Sequence, residues 1–566
     1  MVTKFQDYEY ERPDLQKISK EVAELIEKFN EAKDAKEQST VIDELNKIFN
    51  HVDTMATLAH IRASIDTKDE FYDSERNFFD EYDPVITEIN NKYYDAIVNS
   101  DFRFDLEDLY GRQLFALAEN RLKSYDPAVK ELIQEENRLS TQYSKLLAGS
   151  EIEFDGKTLN LSEFSPYMED PDRSVRKAAT EAVQGFMGDN LETIDDIYDK
   201  LVKTRDKIAK ELGYQDFVEL GYVRMNRIDY DRDMVETFRD QVAEYVVPVV
   251  TKLKERQSKR IGLSDLKSYD ESFDFLTGNA APKGNTKDIM KNGAKMYKEL
   301  SPETDEFYTF MTERELFDVE AKKGKEGGGY CTFIPEYDSP FIFSNFNGTL
   351  GDVTVLTHEA GHAFQSYMSR GFDIPEYQFP TLESAEIHSM SMEYFTYPWM
   401  DLFFEEDTDK FKYSHLASDI SFLPYGVAID EFQHIVYENP ELTPEQRRDE
   451  WKKLEAKYLP HRDYDGIEPL ESGSFWHYQG HVFGAPFYYI DYTLAQICAI
   501  QFWERAKKDF NAAWNDYLAL CKLGGSLPFN SLIEAAKLKS PFEEGSLKEV
   551  VEEVSDYLDS IDDTKL

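Results

Sequence analysis

The sequence predicts a mostly α-helical protein built from many helices, with one small β-sheet placed just before its most distinctive motif. Three observations carry this reading. Apolar residues recur at three- and four-residue spacing from Asp14 to about Ser150, from Asp172 to about residue 300, and through most of the chain after residue 350. Convincing strand material is confined to residues 317–346. No fixed-period repeat and no Pro/Ser-rich linker interrupts the series.

The first helices read from Val22, Leu25, Ile26 and Phe29, then Val41, Leu45, Ile48 and Phe49. Asn99-Ser100-Asp101 is a polar break of residues that cap the start of a following helix. Glu153 to Leu159 carries an Asp155-Gly156 turn signal between β-compatible residues and predicts a small hairpin. Helical periodicity resumes at Asp172 and is broken by the Gly278–Asn285 loop. Phe317 to Val319, Tyr330 to Ile334 and Phe341 to Phe346 predict strands, with a flexible Lys322–Gly329 loop between the first two. The remainder reads as helix, with loops at Pro460, Gly466, Gly480 to Pro486 and Gly524-Gly525.

With 566 residues, 41% hydrophobic and 14% aromatic, the chain has material for a large core, which excludes disorder as its main state. The 64 Lys+Arg against 111 Asp+Glu give a net charge of −47, which repels phosphate backbones and anionic lipid and argues against nucleic acid or a membrane as partner. Three cysteines, Cys331, Cys498 and Cys521, are too few for a disulfide framework and suit a reducing compartment. The charged N-terminus has no apolar run of the secretory kind, so the expected location is cytoplasmic. Ser472 to Trp503 is poor in charge but is broken by Gly473, Gly480, Gly484 and Pro486, and predicts buried interior rather than a membrane helix of about 20 apolar residues.

The central signal is His358-Glu359-Ala360-Gly361-His362. Residues four apart share a helix face with Cβ atoms about 6 Å apart, so two imidazoles reach one Zn2+ while Glu359 lies beside them to polarise a water. A catalytic zinc takes three protein ligands and keeps a fourth place open. Glu383, Glu386, Met390 and Glu393 line one face of an acidic helix beginning about 20 residues later. Glu386 is the expected third ligand and Glu393 the carboxylate that receives a ligand histidine's second N–H. His388 points away from that face and is expected to be structural.

The motif, with Glu386 placed 24 residues after His362, resembles the oligoendopeptidase F branch of the thimet oligopeptidase-like zinc peptidases. Asp172-Arg173, Arg176-Lys177, Leu212-Gly213-Tyr214, Met225 with Arg227 and Asp229, Phe317-Asp318, Tyr425-Gly426 with Asp430 and Phe432-Gln433-His434, and Gly524-Gly525-Ser526 stand where that branch has similar segments. The resemblance implies one zinc per chain, and two helical walls around a deep channel that admits unfolded oligopeptides. Residues 1–195 would form an N-terminal helical domain and one wall, and residues 196–566 the catalytic domain. It also implies that His481 and two tyrosines bind the substrate carbonyl and oxyanion. Tyr488 and Tyr492 are favoured, with Tyr489 and Tyr492 as the other pair on one face. Zinc-activated water, with Glu359 as base, would then cut internal peptide bonds.

Rival readings attach to the same residues. His477 and His481 are also four apart, but no Glu follows His477, and the glycines and Pro486 argue against a continuous helix and a second metal. His434 reads as a satisfied helix histidine. Gly327-Gly328-Gly329 lacks a phosphate loop's ending and reads as a mobile turn near the cleft. An aminopeptidase or dipeptidyl carboxypeptidase would use the same zinc chemistry, and a peptide-binding protein with structural zinc is the reading outside enzymes. Structural zinc usually takes a Cys-rich set, and no Cys lies near this motif. The oligomeric state is not legible.

Overall fold

The computed structural model describes residues 2–566. It opens with three long helices, α1 (Leu15–Glu31), α2 (Ala35–Ile65) and α3 (Glu70–Val98). Each begins at an aspartate, Asp14, Asp34 or Asp69, whose carboxylate accepts backbone N–H groups of the first turn. Val22, Phe29, Ile42, Leu45, Ile97 and Leu114 bury together in an N-terminal core that also takes in Ile374 and Tyr377, which follow the metal motif in sequence. The polar break at Asn99–Asp101 is a turn rather than a cap. Ser100 Oγ accepts from Phe102 N, and the helix Arg103–Tyr110 starts without a side-chain cap.

The predicted hairpin is β1 (Ile152–Phe154) and β2 (Lys157–Leu159), antiparallel, with Asp155 and Gly156 at φ of 50° and 71°. Two positive φ values make the tight turn that matches strand twist. The second sheet has the order β3-β5-β4: β3 (Phe317–Glu320) runs parallel to β5 (Ser339–Phe346), and β4 (Tyr330–Ile334) antiparallel to it. The loop between β3 and β4 is fastened, contrary to the flexible turn expected from its glycines. Lys325 buries its ammonium on Asp318 Oδ1 at 2.6 Å and Ser344 O at 2.5 Å. Glu326 N donates to Ser64 O, and Thr67 N to Gly324 O, so the loop ties the sheet to the end of α2.

β5 leads into the motif helix, Gly351–Ser369. The acidic helix, Leu382–Phe395, packs between it and the C-terminal helix Tyr489–Lys508, and the long helix Thr408–Glu438 packs on the latter. These helices share one large core. Within residues 472–503, Val482, Phe483, Phe487, Ile490 and Leu494 are buried, and no helix among the described residues is long and apolar enough to cross a membrane.

Candidate active site

Gly361 sets the distance between the motif helix and the acidic helix. A Cβ there would lie 2.6 Å from Ser389 Cα and 2.7 Å from His388 O, closer than packing allows. This approach brings Glu386 to the motif histidines: its Oε2 lies 3.3 Å from His358 Nε2 and 3.5 Å from His362 Nε2. The two imidazoles stand 5.0 Å apart at 83°. One ligand atom from each of the three residues falls within 4.8 Å of the others, and no other such trio occurs among the described residues.

This donor set fits a cation. Glu393 Oε1 lies 2.7 Å from His358 Nδ1, so that nitrogen carries a hydrogen and Nε2 is the atom left facing Glu386 and available to a metal. Burial would lower the pKa of His358, but its hydrogen bonds to Glu386 and Glu393 raise it well above the ordinary value. Burial would raise Glu386, yet the two histidines hold it well below the carboxylate range. Both shifts show a site that attracts positive charge. Glu359, buried one residue after His358, has its pKa raised by that burial while the two histidines pull the other way.

Glu393 is itself held from behind. Its Oε2 lies 2.7 Å from His415 Nε2, and His415 Nδ1 is flanked by the Tyr397 hydroxyl at 2.8 Å and Asp419 at 3.0 Å. Sequence reasoning missed this chain; its one signal was a histidine and an aspartate four apart on a mostly buried helix, His415 and Asp419. His388 lies outside the metal trio, fully buried, with Nδ1 donating to Ser384 O and burial lowering its pKa to about 4.

The second cluster comes from the C-terminal segment. Gly480–Gly484, expected as loop, forms a five-residue helical turn, and Phe487 sits at a φ of 68°. That strained backbone is held on both sides: Phe487 N donates to Gln433 Oε1, and Arg227, paired with the buried Asp491, donates to Phe487 O. The bend delivers Tyr488, whose hydroxyl donates to Glu386 Oε1 at 2.8 Å. The rings of His481 and Tyr488 are 5.4 Å apart, and those of Tyr488 and Tyr492 4.9 Å. The Tyr489 ring is 5.2 Å from that of His481 and also packs against Phe422 and Tyr425, but its hydroxyl makes no bond to Glu386.

Two other histidines lie outside the site. His477, on the separate turn Phe475–Tyr478, faces Asp195, so it makes no pair with His481. His434 hydrogen bonds with the Tyr222 hydroxyl, and burial takes its pKa down to about 3.

Two cavities lie nearby, neither of them lined by the metal-site residues or by His481, Tyr488 or Tyr492. One of about 240 Å³ is walled by Tyr94, Arg121, Glu376 and Phe379, the last with its ring 6.2 Å from that of His362. A larger one of about 690 Å³ lies between Asp83, Thr87 and Arg121 on one side and Gly484–Pro486 on the other.

Comparison with known proteins gives one consistent family. The model of the peptidase M3 N-terminal domain matches residues 5–125, and that of peptidase family M3 matches residues 166–552. An oligoendopeptidase F homolog of Borreliella burgdorferi is 24% identical over 477 residues, covering 79% of this chain and 76% of the relative. The oligopeptidase PepF of Bacillus subtilis is 23% identical over 528 residues, covering 85% and 74%. Among solved structures, PZ peptidase A with an inhibitor superposes at a TM-score of 0.95 with 53% identity, covering 99% of this chain and 100% of that one.

Proposed function

The chain belongs to peptidase family M3, and from that premise we propose that it is a zinc-dependent oligoendopeptidase that cuts internal bonds of short unfolded peptides. It is a metallopeptidase, a hydrolase of peptide bonds. The observation that carries the finer reading is the convergence of His358 Nε2, His362 Nε2 and Glu386 Oε2 beside the buried Glu359. Two imidazoles and one carboxylate are a catalytic zinc set with an open fourth place. The names of the relatives, oligoendopeptidase F and oligopeptidase, support oligopeptides as substrates.

His358, His362 and Glu386 would hold the zinc, which when bound supplies a Lewis acid that brings the pKa of a water toward about 7. Glu359 takes the proton of the attacking water and returns it to the leaving amine. Its burial, which raises its proton affinity, suits that exchange. The hydroxyls of Tyr488 and Tyr492 and the imidazole of His481 donate to the substrate carbonyl as it becomes an oxyanion. Tyr488 trades its present acceptor, Glu386 Oε1, for that oxygen. Residues 1–195 and 196–566 serve as the two walls, and the cavities along Arg121 and Phe379 support a peptide path between them.

The test is mass spectrometry of a mixed-length peptide pool and one folded protein incubated with the enzyme, with and without chelator. Internal cuts in short peptides, the folded protein spared and the chelated sample silent, are expected. Stepwise trimming from one end would replace this reading with an exopeptidase.

A further inference from the structure

The imidazole of His481 is held by an amide side chain. Gln479 is the extended residue (φ −82°, ψ 91°) between the turns Phe475–Tyr478 and Gly480–Gly484. Its Nε2 lies 2.7 Å from His481 Nδ1. Its Oε1 lies 3.2 Å from the Tyr425 hydroxyl, which finds no other hydrogen-bond partner among the described residues. The phenol proton of Tyr425 therefore goes to the amide oxygen, and this decides which end of the amide faces the histidine. Tyr425 cannot easily turn away, because its ring sits edge-on to Phe475, Tyr489 and Trp451 at 5.5, 5.7 and 6.1 Å.

An amide nitrogen only donates. His481 Nδ1 must then accept, and the ring's hydrogen must sit on Nε2. We infer that Gln479 is a positioning residue, oriented by Tyr425, that locks His481 in the Nε2–H tautomer so that the ring presents a donor, and not an acceptor, to the peptide in the cleft. The distinction matters because a peptide carbonyl can only accept. Burial also lowers the pKa of His481, which keeps the ring neutral and makes the choice of tautomer decisive. The inference rests on the proposed function, in which His481 touches the substrate carbonyl. It adds two residues, Gln479 and Tyr425, that touch neither metal ligand nor substrate and act only through His481.

A double-mutant cycle on the full chain tests it, with kcat and KM for one fluorogenic peptide, bound metal, and nitrogen-15 resonances of labelled histidine as readouts. Gln479→Met should lower kcat/KM about tenfold or more, as loss of a partner that orients a functional histidine does. Tyr425→Phe should act in the same direction but less. Metal content should stay at the wild-type level, and in a His481→Ala background either change should cost no more than about twofold, because the pair acts through one ring. The wild-type spectrum should show the hydrogen of His481 on Nε2. Equal losses in both backgrounds, or a hydrogen on Nδ1, would overturn the inference while leaving peptide cleavage intact. A His481→Ala enzyme with unchanged kcat/KM would overturn it together with the role of His481. An inactive wild type would instead refute the peptidase reading, and the spectrum would still decide the tautomer.

Discussion

Gly361 of the metal motif lies so close to Ser389 that a Cβ on the glycine would come within 2.6 Å of the serine Cα. Backbone cannot yield as a flexible side chain can, so Gly361→Ala must push the acidic helix, and Glu386 with it, away from the histidines. The expected cost is about 1–3 kcal/mol of stability, as for other overpacked cores. Weaker metal retention should accompany it. Thermal unfolding with and without zinc measures both; a variant as stable and as tightly loaded as the wild type would show that the two helices do not set the site.

Glu393 ties His358 to His415 through its two carboxylate oxygens, at 2.7 Å each. His415→Asn should loosen Glu393 and lower metal affinity about 10–100-fold, the usual effect of losing a ligand's supporting partner. Zinc competition against a chelator reads this directly, with no need for turnover.

Much of this arrangement was legible in the sequence, and the gaps have physical causes. That His358, His362, Glu386 and Glu393 come together could be anticipated from the four-residue spacing of the motif histidines and the helical period of the acidic helix. His415 was not, because it reaches Glu393 from a different helix, and no local spacing reports contacts between helices. The sequence left Tyr488 and Tyr489 open because the positive φ of Phe487, which directs the Tyr488 hydroxyl to Glu386 and for which Gly221 leaves room, is a tertiary feature with no local signal. The glycines of the Lys322–Gly329 loop suggested mobility because the burial of Lys325 under Ser344 is a tertiary fact.

Tyr488 and Tyr489 differ in what their side chains meet, and the difference is measurable. Tyr488→Phe removes the hydroxyl that now donates to Glu386 and should lower kcat about 10²–10³-fold with metal content unchanged, as expected for one oxyanion donor. Tyr489→Phe, whose ring packs on Phe422 and Tyr425, should have a much smaller effect. The reverse order would reassign the donor.

Acid sensitivity should have a contribution from Glu271 and Arg462, far in function from the metal. Burial alone would raise the pKa of Glu271, but the Arg462 guanidinium at 3.1 Å, with Lys254, pulls it down to about 2. A carboxylate with a depressed folded pKa contributes stability that is present above its ordinary value of 4.5 and lost as pH falls toward 2. The full contribution is about 3 kcal/mol. Urea denaturation of Glu271→Gln and wild type should therefore diverge above pH 4.5 and converge toward pH 2; parallel curves across that window would contradict the pairing.

The central claim is that Glu359 moves the proton at a zinc held by His358, His362 and Glu386. The most direct measurement is bound zinc and peptide turnover in the same preparation of Glu359→Gln. The variant should carry zinc at the wild-type ratio and lose nearly all turnover, a fall of at least about 10²–10⁴-fold, whereas His358→Ala and His362→Ala should lose the metal as well. A zinc-loaded Glu359→Gln enzyme that cleaves peptides near the wild-type rate would contradict the account.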